Sequence, residues 1–220
     1  MRKPILYGAD YSVYVRIARM TLEEKGVDYE LVPLDIFAAE GVPDWYLEHH
    51  PFGRIPAFEH DGFRLFETSA IARYVDEAFA GPALQPADAR GRARISQIAG
   101  LLDAYGYRAM VWDVAVERLE KMPADETLIA SGLSRAETVL KVLTSLKPEG
   151  PWLLGDQLTL ADLHAAPIIG YFIKAADGAD MLARFAEVRD WYGRISARQS
   201  FAKPKRPASW PGPDPRLMTA

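Results

Sequence analysis

Residues 53–77 read GRIPAFEHDGFRLFETSAIARYVDE. Two short apolar runs flank His60, Asp61 and Gly62, and an Asp-Gly pair between such runs marks a tight hairpin. Directly after the second run, Ile71, Tyr74, Val75, Ala78 and Phe79 recur on one helical face. A hairpin therefore feeds straight into an amphipathic helix. Upstream, ILYG is a short strand ending at Gly8. Tyr14, Ile17, Ala18 and Leu22 follow with helical spacing, and Gly26 stands where a helix stops. YELVPL reads as a second strand, with Pro33 placing it at a sheet edge or ending it. This opening is a βαβ unit. Residues 36–52 are irregular apart from a short helix around PDWYLEHH. Residues 1–80 thus read β-α-β-α-β-β-α.

Beyond this point the strand signals stop. GPALQPADARG carries Gly81, Pro82 and Pro86 and reads as a linker over 81–88. An all-helical unit is expected over 89–200. It has a long helix to about residue 120, an interruption at Pro123, a helix over 125–146, and three further helical patterns. The stretch 201–220 holds five of the sixteen prolines and reads as an extended tail. The fold class is α/β followed by all-α.

Bulk composition narrows the function classes. The 220 residues are 49% hydrophobic and 25% charged, which supports a sizeable core. The net charge of -4, with signs mixed along the chain, argues against a nucleic-acid surface. No cysteine is present, so disulfides, thiolate metal sites and a cysteine nucleophile are excluded. The four histidines have no metal-ligand spacing, and no metal is expected. No apolar run suits a signal peptide or a membrane span, so a soluble cytoplasmic protein with no membrane partner is the expectation.

Four local features carry chemistry. Pro56 is either an edge-strand proline or the second residue of a cis bond that turns the Ile55 backbone outward. At Glu67-Thr68-Ser69, the first N–H groups of a helix lack partners and attract an anion. Thr68 can donate to a carboxylate and Glu67 can hold an amine beside it, together reading an α-amino-acid head; capping alone is the other reading. Ser12 stands at the start of the first helix, as an N-cap or as a donor to an anion. A donor to a thiolate lowers its pKa and so raises the nucleophilic fraction. Thr159-x-x-Asp162 is a capping box that serves folding.

Taken in order, these features resemble the glutathione S-transferase family, in its cytosolic, serine-type, bacterial-like form, over nearly the whole chain. SVYVRIARMTLEEKGVDYELVPLD resembles its first helix and second strand. PDWYLEHHPFGRIPAFEHDGFRLFETSAIARYVDE resembles its cis-proline hairpin and the acid-hydroxyl start of its third helix. LTLADLHAAP resembles a capping box in its helical half. The resemblance implies a thioredoxin-like N-terminal domain, a helical C-terminal domain and a homodimer with a role in detoxification. It implies glutathione as co-substrate and a small electrophilic partner substrate. Ile55 would pair with the cysteinyl backbone across Pro56, Glu67 and Thr68 would hold the γ-glutamyl head, and Arg54 would add a polar contact. Ser12 matches the activating hydroxyl, with Tyr7 and Tyr11 as rivals. Tyr11, Tyr107 and Arg108 are candidates for the second substrate, and Phe52 matches an aromatic that some classes insert into the partner subunit.

This sequence departs from the family pattern at three places. Val13 replaces the proline that often follows the catalytic serine. No lysine lies in the 36–46 loop, where a glycyl carboxylate is often bound, and Asp35, Glu40 and Asp44 are found in that region instead. Arg54, His49 or His50 are the candidates to compensate. The thiol-transferring cysteine is absent. A glutathione-dependent isomerase, peroxidase or ether- or halide-cleaving enzyme stays open, as does a non-catalytic binding module.

Overall fold

A computed structural model describes residues 2–202. The expected tail lies almost wholly outside the described residues. Strands β1 (Ile5–Gly8), β2 (Glu30–Pro33), β3 (Ala57–His60) and β4 (Phe63–Phe66) form one sheet in the order β2-β1-β3-β4. β1 and β2 run parallel, joined by helix α1 (Val13–Glu24). Parallel neighbours need a crossover connection of this kind. β3 pairs antiparallel with both β1 and β4. Asp61 (φ 49°) and Gly62 (φ 82°) both take positive φ at the hairpin turn, as the Asp-Gly pair predicts. α2 (Asp44–Leu47) covers one side of the sheet, and α3 (Thr68–Ala78) follows β4. This is the thioredoxin-like arrangement.

One boundary differs from the sequence reading. The third strand begins at Ala57, not at Pro56, and the Ile55–Pro56 bond is cis. Ile55 therefore lies outside the ladder.

After α3 the described elements are helical: α4 (Ala89–Leu101), α5 (Glu117–Glu120), α6 (Glu126–Leu146), α7 (Leu160–Phe172), α8 (Ala176–Ala183), α9 (Ala186–Ser196) and α10 (Gln199–Ala202). α4 continues into α5 without a break, through wide π-helical turns at Leu102–Gly106 and Arg108–Val116. The sequence stripe predicts one long α-helix here. The widening changes which side each residue faces, and such turns often mark functional sites.

The two halves share a core. Val13, Ile17 and Met20 of α1 pack among Ile168, Ile169 and Phe172 of α7 and the buried residues of the long helix. Leu6, Phe58, Ile71 and Val75 close a second core around the sheet. The linker is tied by the buried Lys25–Asp76 ion pair at 3.0 Å, and Lys25 also donates to the Pro82 carbonyl. Asp76 accepts the Leu84 N–H at 2.8 Å, and the Leu84 carbonyl accepts from Leu160 at the start of α7.

Asp162 anchors α7 from within the helical core. Its fully buried carboxylate accepts from Leu153 N–H (2.7 Å), Thr159 N–H (2.8 Å), the Thr159 hydroxyl (2.9 Å) and Trp191 Nε1–H (2.8 Å). The Thr159 N–H bond is the return half of the capping box. Burial pushes the carboxyl pKa up, against the pull of these donors. Replacing Asp162 by Ala strands several buried donors, each at about 1–3 kcal/mol. The Asp162→Ala protein should lose about 3–5 kcal/mol of stability in urea unfolding. A loss under about 1 kcal/mol would show that the site collapses or hydrates freely.

Candidate functional site

The cleft between the two halves is built from loop and helix starts. Gly8 ends β1, and a tight turn brings Ser12 N–H onto the Ala9 carbonyl at 3.1 Å. Ser12 is the N-cap of α1: its Oγ accepts the Val15 N–H at 3.3 Å. A hydroxyl that accepts keeps its own proton to donate. Among the described residues that proton has no acceptor.

The rival tyrosines are packed or bonded elsewhere. Tyr7 is buried with its ring against His49 (4.5 Å), Trp45 and Tyr46, on the α2 side of the sheet. Tyr11 donates to Asp35 Oδ1 at 2.7 Å and accepts from Ile36 N–H. Burial first, and Asp35 next, push its phenol pKa far up. Its ring meets Phe37 at 5.7 Å.

The start of α3 forms the second part. Glu67 holds the N-cap position with φ 69° and ψ 114°, and its side chain makes no capping bond. Capping alone, the other reading of Glu67-Thr68-Ser69, is not what these side chains do: none makes a cap bond among the described residues. The first helical bond runs from Ile71 N–H to the Glu67 carbonyl. The N–H groups of Thr68, Ser69 and Ala70 have no acceptor among the described residues. A non-glycine residue in this region stores about 1–3 kcal/mol of strain, and such residues cluster at ligand sites.

The third part is the segment before β3. Gly53 (φ 60°) donates to the His50 carbonyl, and Tyr46 Oη donates to the Arg54 carbonyl at 2.7 Å. These bonds fix the approach to Ile55, whose side chain is buried. Among the described residues the Ile55 N–H and C=O have no partner. Arg54 is exposed, with no ion pair among those residues.

His50 is buried against Phe66 (4.9 Å), and burial lowers its pKa. Arg54 and Glu67 both act on its charge, which locates all three in one neighbourhood. His49 turns to the α2 side near Glu59, and burial also lowers its pKa. Neither imidazole is an exposed cation. Arg54 is the one of the three that is.

Aromatic rings from both halves line the rest of the cleft. Tyr14 meets Tyr107 at 4.6 Å, and Phe37 reaches Trp112 at 6.4 Å. Arg54 lies within electrostatic reach of Tyr107, and Glu67 within that of Tyr14. Arg108 does not join them. It pairs with buried Asp113 at 2.7 Å and lines a groove against Arg135, Thr138 and Val142 of α6. Its expected place among the second-substrate residues is corrected: the wide turns direct it to α6 and Tyr107 to the cleft.

Sequence reasoning missed Phe37, Tyr14, Asp103 and His164 as site elements. Asp103 Oδ1 accepts from Tyr14 Oη at 3.1 Å and contacts His164 Nε2 at 2.8 Å, joining α1, the long helix and α7. A histidine inside an apolar helical pattern was the one available signal. Among the described residues no cluster of His, Asp and Glu is placed to hold a metal. Nor is any helix there long and apolar enough to cross a membrane.

Family models for the glutathione S-transferase N-terminal and C-terminal domains match residues 6–83 and 107–199. Glutathione S-transferase F10 of Arabidopsis thaliana is 30% identical, over 84% of this chain and 88% of its own length. The chain belongs to the glutathione S-transferase family. A Hyoscyamus muticus glutathione S-transferase is 29% identical, covering 90% of this chain and 95% of its own. The crystal structure of glutathione transferase F7 from Populus trichocarpa superposes with a TM-score of 0.80 at 30% identity, covering 90% of this chain and 96% of that one. A glutathione S-transferase from Methylobacterium radiotolerans, in complex with glutathione sulfonate, gives a TM-score of 0.75 at 27% identity, covering 92% and 94%. Plant proteins thus stand beside a bacterial one among the relatives of this transferase.

Proposed function

We propose that this transferase binds glutathione across the α1 and α3 starts and conjugates its thiolate to an electrophilic carbon. One observation carries the reading. A serine hydroxyl with a free proton, an unpaired Ile55 backbone and an uncapped α3 start stand at the same end of the sheet, where Tyr7 pairs with Ala57 and Ala57 with Phe66. The γ-glutamyl carboxylate would take the Thr68 and Ser69 N–H groups and the Thr68 hydroxyl, aided by the helix dipole. Glu67 would hold the ammonium. The cysteinyl amide would pair with Ile55, beside Pro56, and Arg54 would meet the glycyl carboxylate in place of the absent lysine.

Ser12 then donates to the sulfur. The thiol proton leaves to solvent, the thiolate forms the S–C bond, and the leaving group departs with the bonding pair. The absence of cysteine favours this transfer over disulfide exchange through a protein thiol. Isothermal titration with glutathione tests the reading: saturable binding with release of protons near pH 7 is expected. No heat at millimolar glutathione would favour a binding module. Product analysis over a panel of halides, epoxides and peroxides separates conjugation from the other glutathione-dependent reactions. Detoxification of such electrophiles in the cytoplasm is the role this chemistry suits.

The units that carry these roles are 1–80, the 81–88 linker and 89–200. A homodimer completes the proposal. Phe52 is 72% exposed, and the groove of about 480 Å³ between the long helix and α6 has Leu101, Val139 and Val142 on its lining, beside Arg108 and Arg135. An exposed aromatic and an apolar groove on the same chain are complementary parts of a two-fold interface. Aromatic anchors of this kind contribute about 2 kcal/mol or more. Phe52→Ser should raise the dimer dissociation constant roughly 30-fold in sedimentation experiments. An unchanged dimer would remove Phe52 from the interface.

A further inference from the structure

Between β2 and α2 the chain runs through residues 34–43 with no helix or strand. A segment with few bonds opens easily, so the bonds it does make decide where it stands. Among the described residues, the side-chain hydrogen bonds on 35–41 all pass through two groups, the Asp35 carboxylate and the Tyr11 hydroxyl. Tyr11 donates to Asp35 Oδ1 at 2.7 Å and accepts the Ile36 N–H at 3.3 Å. The same Oδ1 accepts the Phe37 N–H at 2.9 Å. Burial first, and Asp35 next, push the phenol pKa up, so the hydroxyl keeps its proton at neutral pH. Asp35, Ile36 and Phe37 are thus latched onto the residue immediately before Ser12.

The latch places an aromatic ring. The Tyr11 and Phe37 rings lie 5.7 Å apart, and Phe37 reaches the Trp112 ring of the helical half at 6.4 Å, edge to face. Ring contacts therefore cross from the neighbour of Ser12 to the other half of the molecule. Much of their surface is open, with Tyr11 37% and Phe37 58% exposed. Open aromatic surface beside a reacting group suits an apolar substrate. A flat aromatic molecule gains a ring pair there that an aliphatic one does not.

We propose that Asp35 is a positioning residue: through Tyr11 it holds the Phe37 ring at the second-substrate site, and this sets a preference for aromatic over aliphatic electrophiles. The inference rests on the transferase reading. Its test is the ratio of kcat/KM for 1-chloro-2,4-dinitrobenzene to that for iodoethane, at saturating glutathione. Both electrophiles meet the same thiolate, so changes at the sulfur or in the folded fraction cancel in the ratio. Asp35→Ala should lower the ratio about fivefold, the worth of one aromatic pair. Asp35→Asn keeps an acceptor oxygen and should keep the ratio. Tyr11→Phe retains the ring without the hydroxyl, and should act as Asp35→Ala does. Phe37→Ala should lower the ratio at least as far. Adding Asp35→Ala to Phe37→Ala should then cost nothing more, because both act through one ring. An unchanged ratio in Asp35→Ala, or an undiminished effect of Asp35→Ala in the Phe37→Ala background, would overturn the proposal. If neither electrophile is turned over, the transferase reading fails instead. Calorimetry with 1,3-dinitrobenzene would still decide the latch: binding should weaken about fivefold in Asp35→Ala and not in Asp35→Asn, and equal affinities in all three proteins would overturn it.

Discussion

Replacing Ser12 by Ala should lower kcat/KM for conjugation about 10²–10³-fold, the usual loss when one donor to a reacting anion is removed. The sign follows from the free proton. A donor favours the thiolate over the thiol, so on the proposed reading the bound thiol should have a pKa below its ordinary value of ~8.5. Activity falls as pH drops through that lowered pKa. Without the hydroxyl, the acidic limb of the pH–rate profile should move towards ~8.5. The same substitution removes the N-cap bond to Val15, costing about 1 kcal/mol of stability. Ser12→Asp separates the two effects. Aspartate caps as well as serine, so the fold should keep its stability. Its charge repels a thiolate, so activity should fall at least as far as in Ser12→Ala. If kcat/KM and the bound-thiol pKa are unchanged in Ser12→Ala, Ser12 does not activate the sulfur. Neither Tyr7 nor Tyr11 offers a ready substitute, since one is packed against α2 and the other is bonded to Asp35.

Glu67→Gly should stabilise the protein and disable its glutathione site together. At φ 69° a side chain is strained, and glycine is not. Release of that strain, less the added freedom of the unfolded glycine, should give about 1 kcal/mol of extra stability. Loss of the carboxylate removes a charge-assisted bond to the γ-glutamyl ammonium, so glutathione should bind about 10–100-fold more weakly. Glu67→Ala isolates the two contributions: binding should fall equally, and stability should not rise because the backbone strain persists. Thermal unfolding and calorimetry read the two quantities separately. Unchanged glutathione affinity would end the ammonium role of Glu67. A glycine variant no more stable than the alanine one would show that the backbone there is not strained.

The order of elements was legible because each is marked within a few residues. Asp61-Gly62 can take the two positive φ angles of a tight hairpin, and Gly26 takes positive φ at the end of α1. Ser12 caps because its oxygen lies three residues from a free N–H. The acceptor geometry of Asp162 and the apolar faces of α1 and α3 follow from helical spacing. The residues gathered around the cleft were legible only through the order of the motifs. Taken singly, Pro56 and Glu67-Thr68-Ser69 each fitted a bland role.

By itself, the sequence determined an α/β unit followed by helices, a hydroxyl at the start of α1 and an acid-hydroxyl run at the start of α3. The tertiary structure decided what no short-range rule reaches. It put Glu67 in a left-handed conformation with no cap, turned Arg108 to Asp113 and Tyr107 to the cleft, and joined Tyr14, Asp103 and His164 across three elements. It also set Arg16 over the Phe201 ring and Lys174 over the Tyr171 ring. The reason is physical. Capping and periodicity act over one helical turn, whereas these placements depend on contacts between residues as far as 185 positions apart, as in the bond from Arg16 to Phe201.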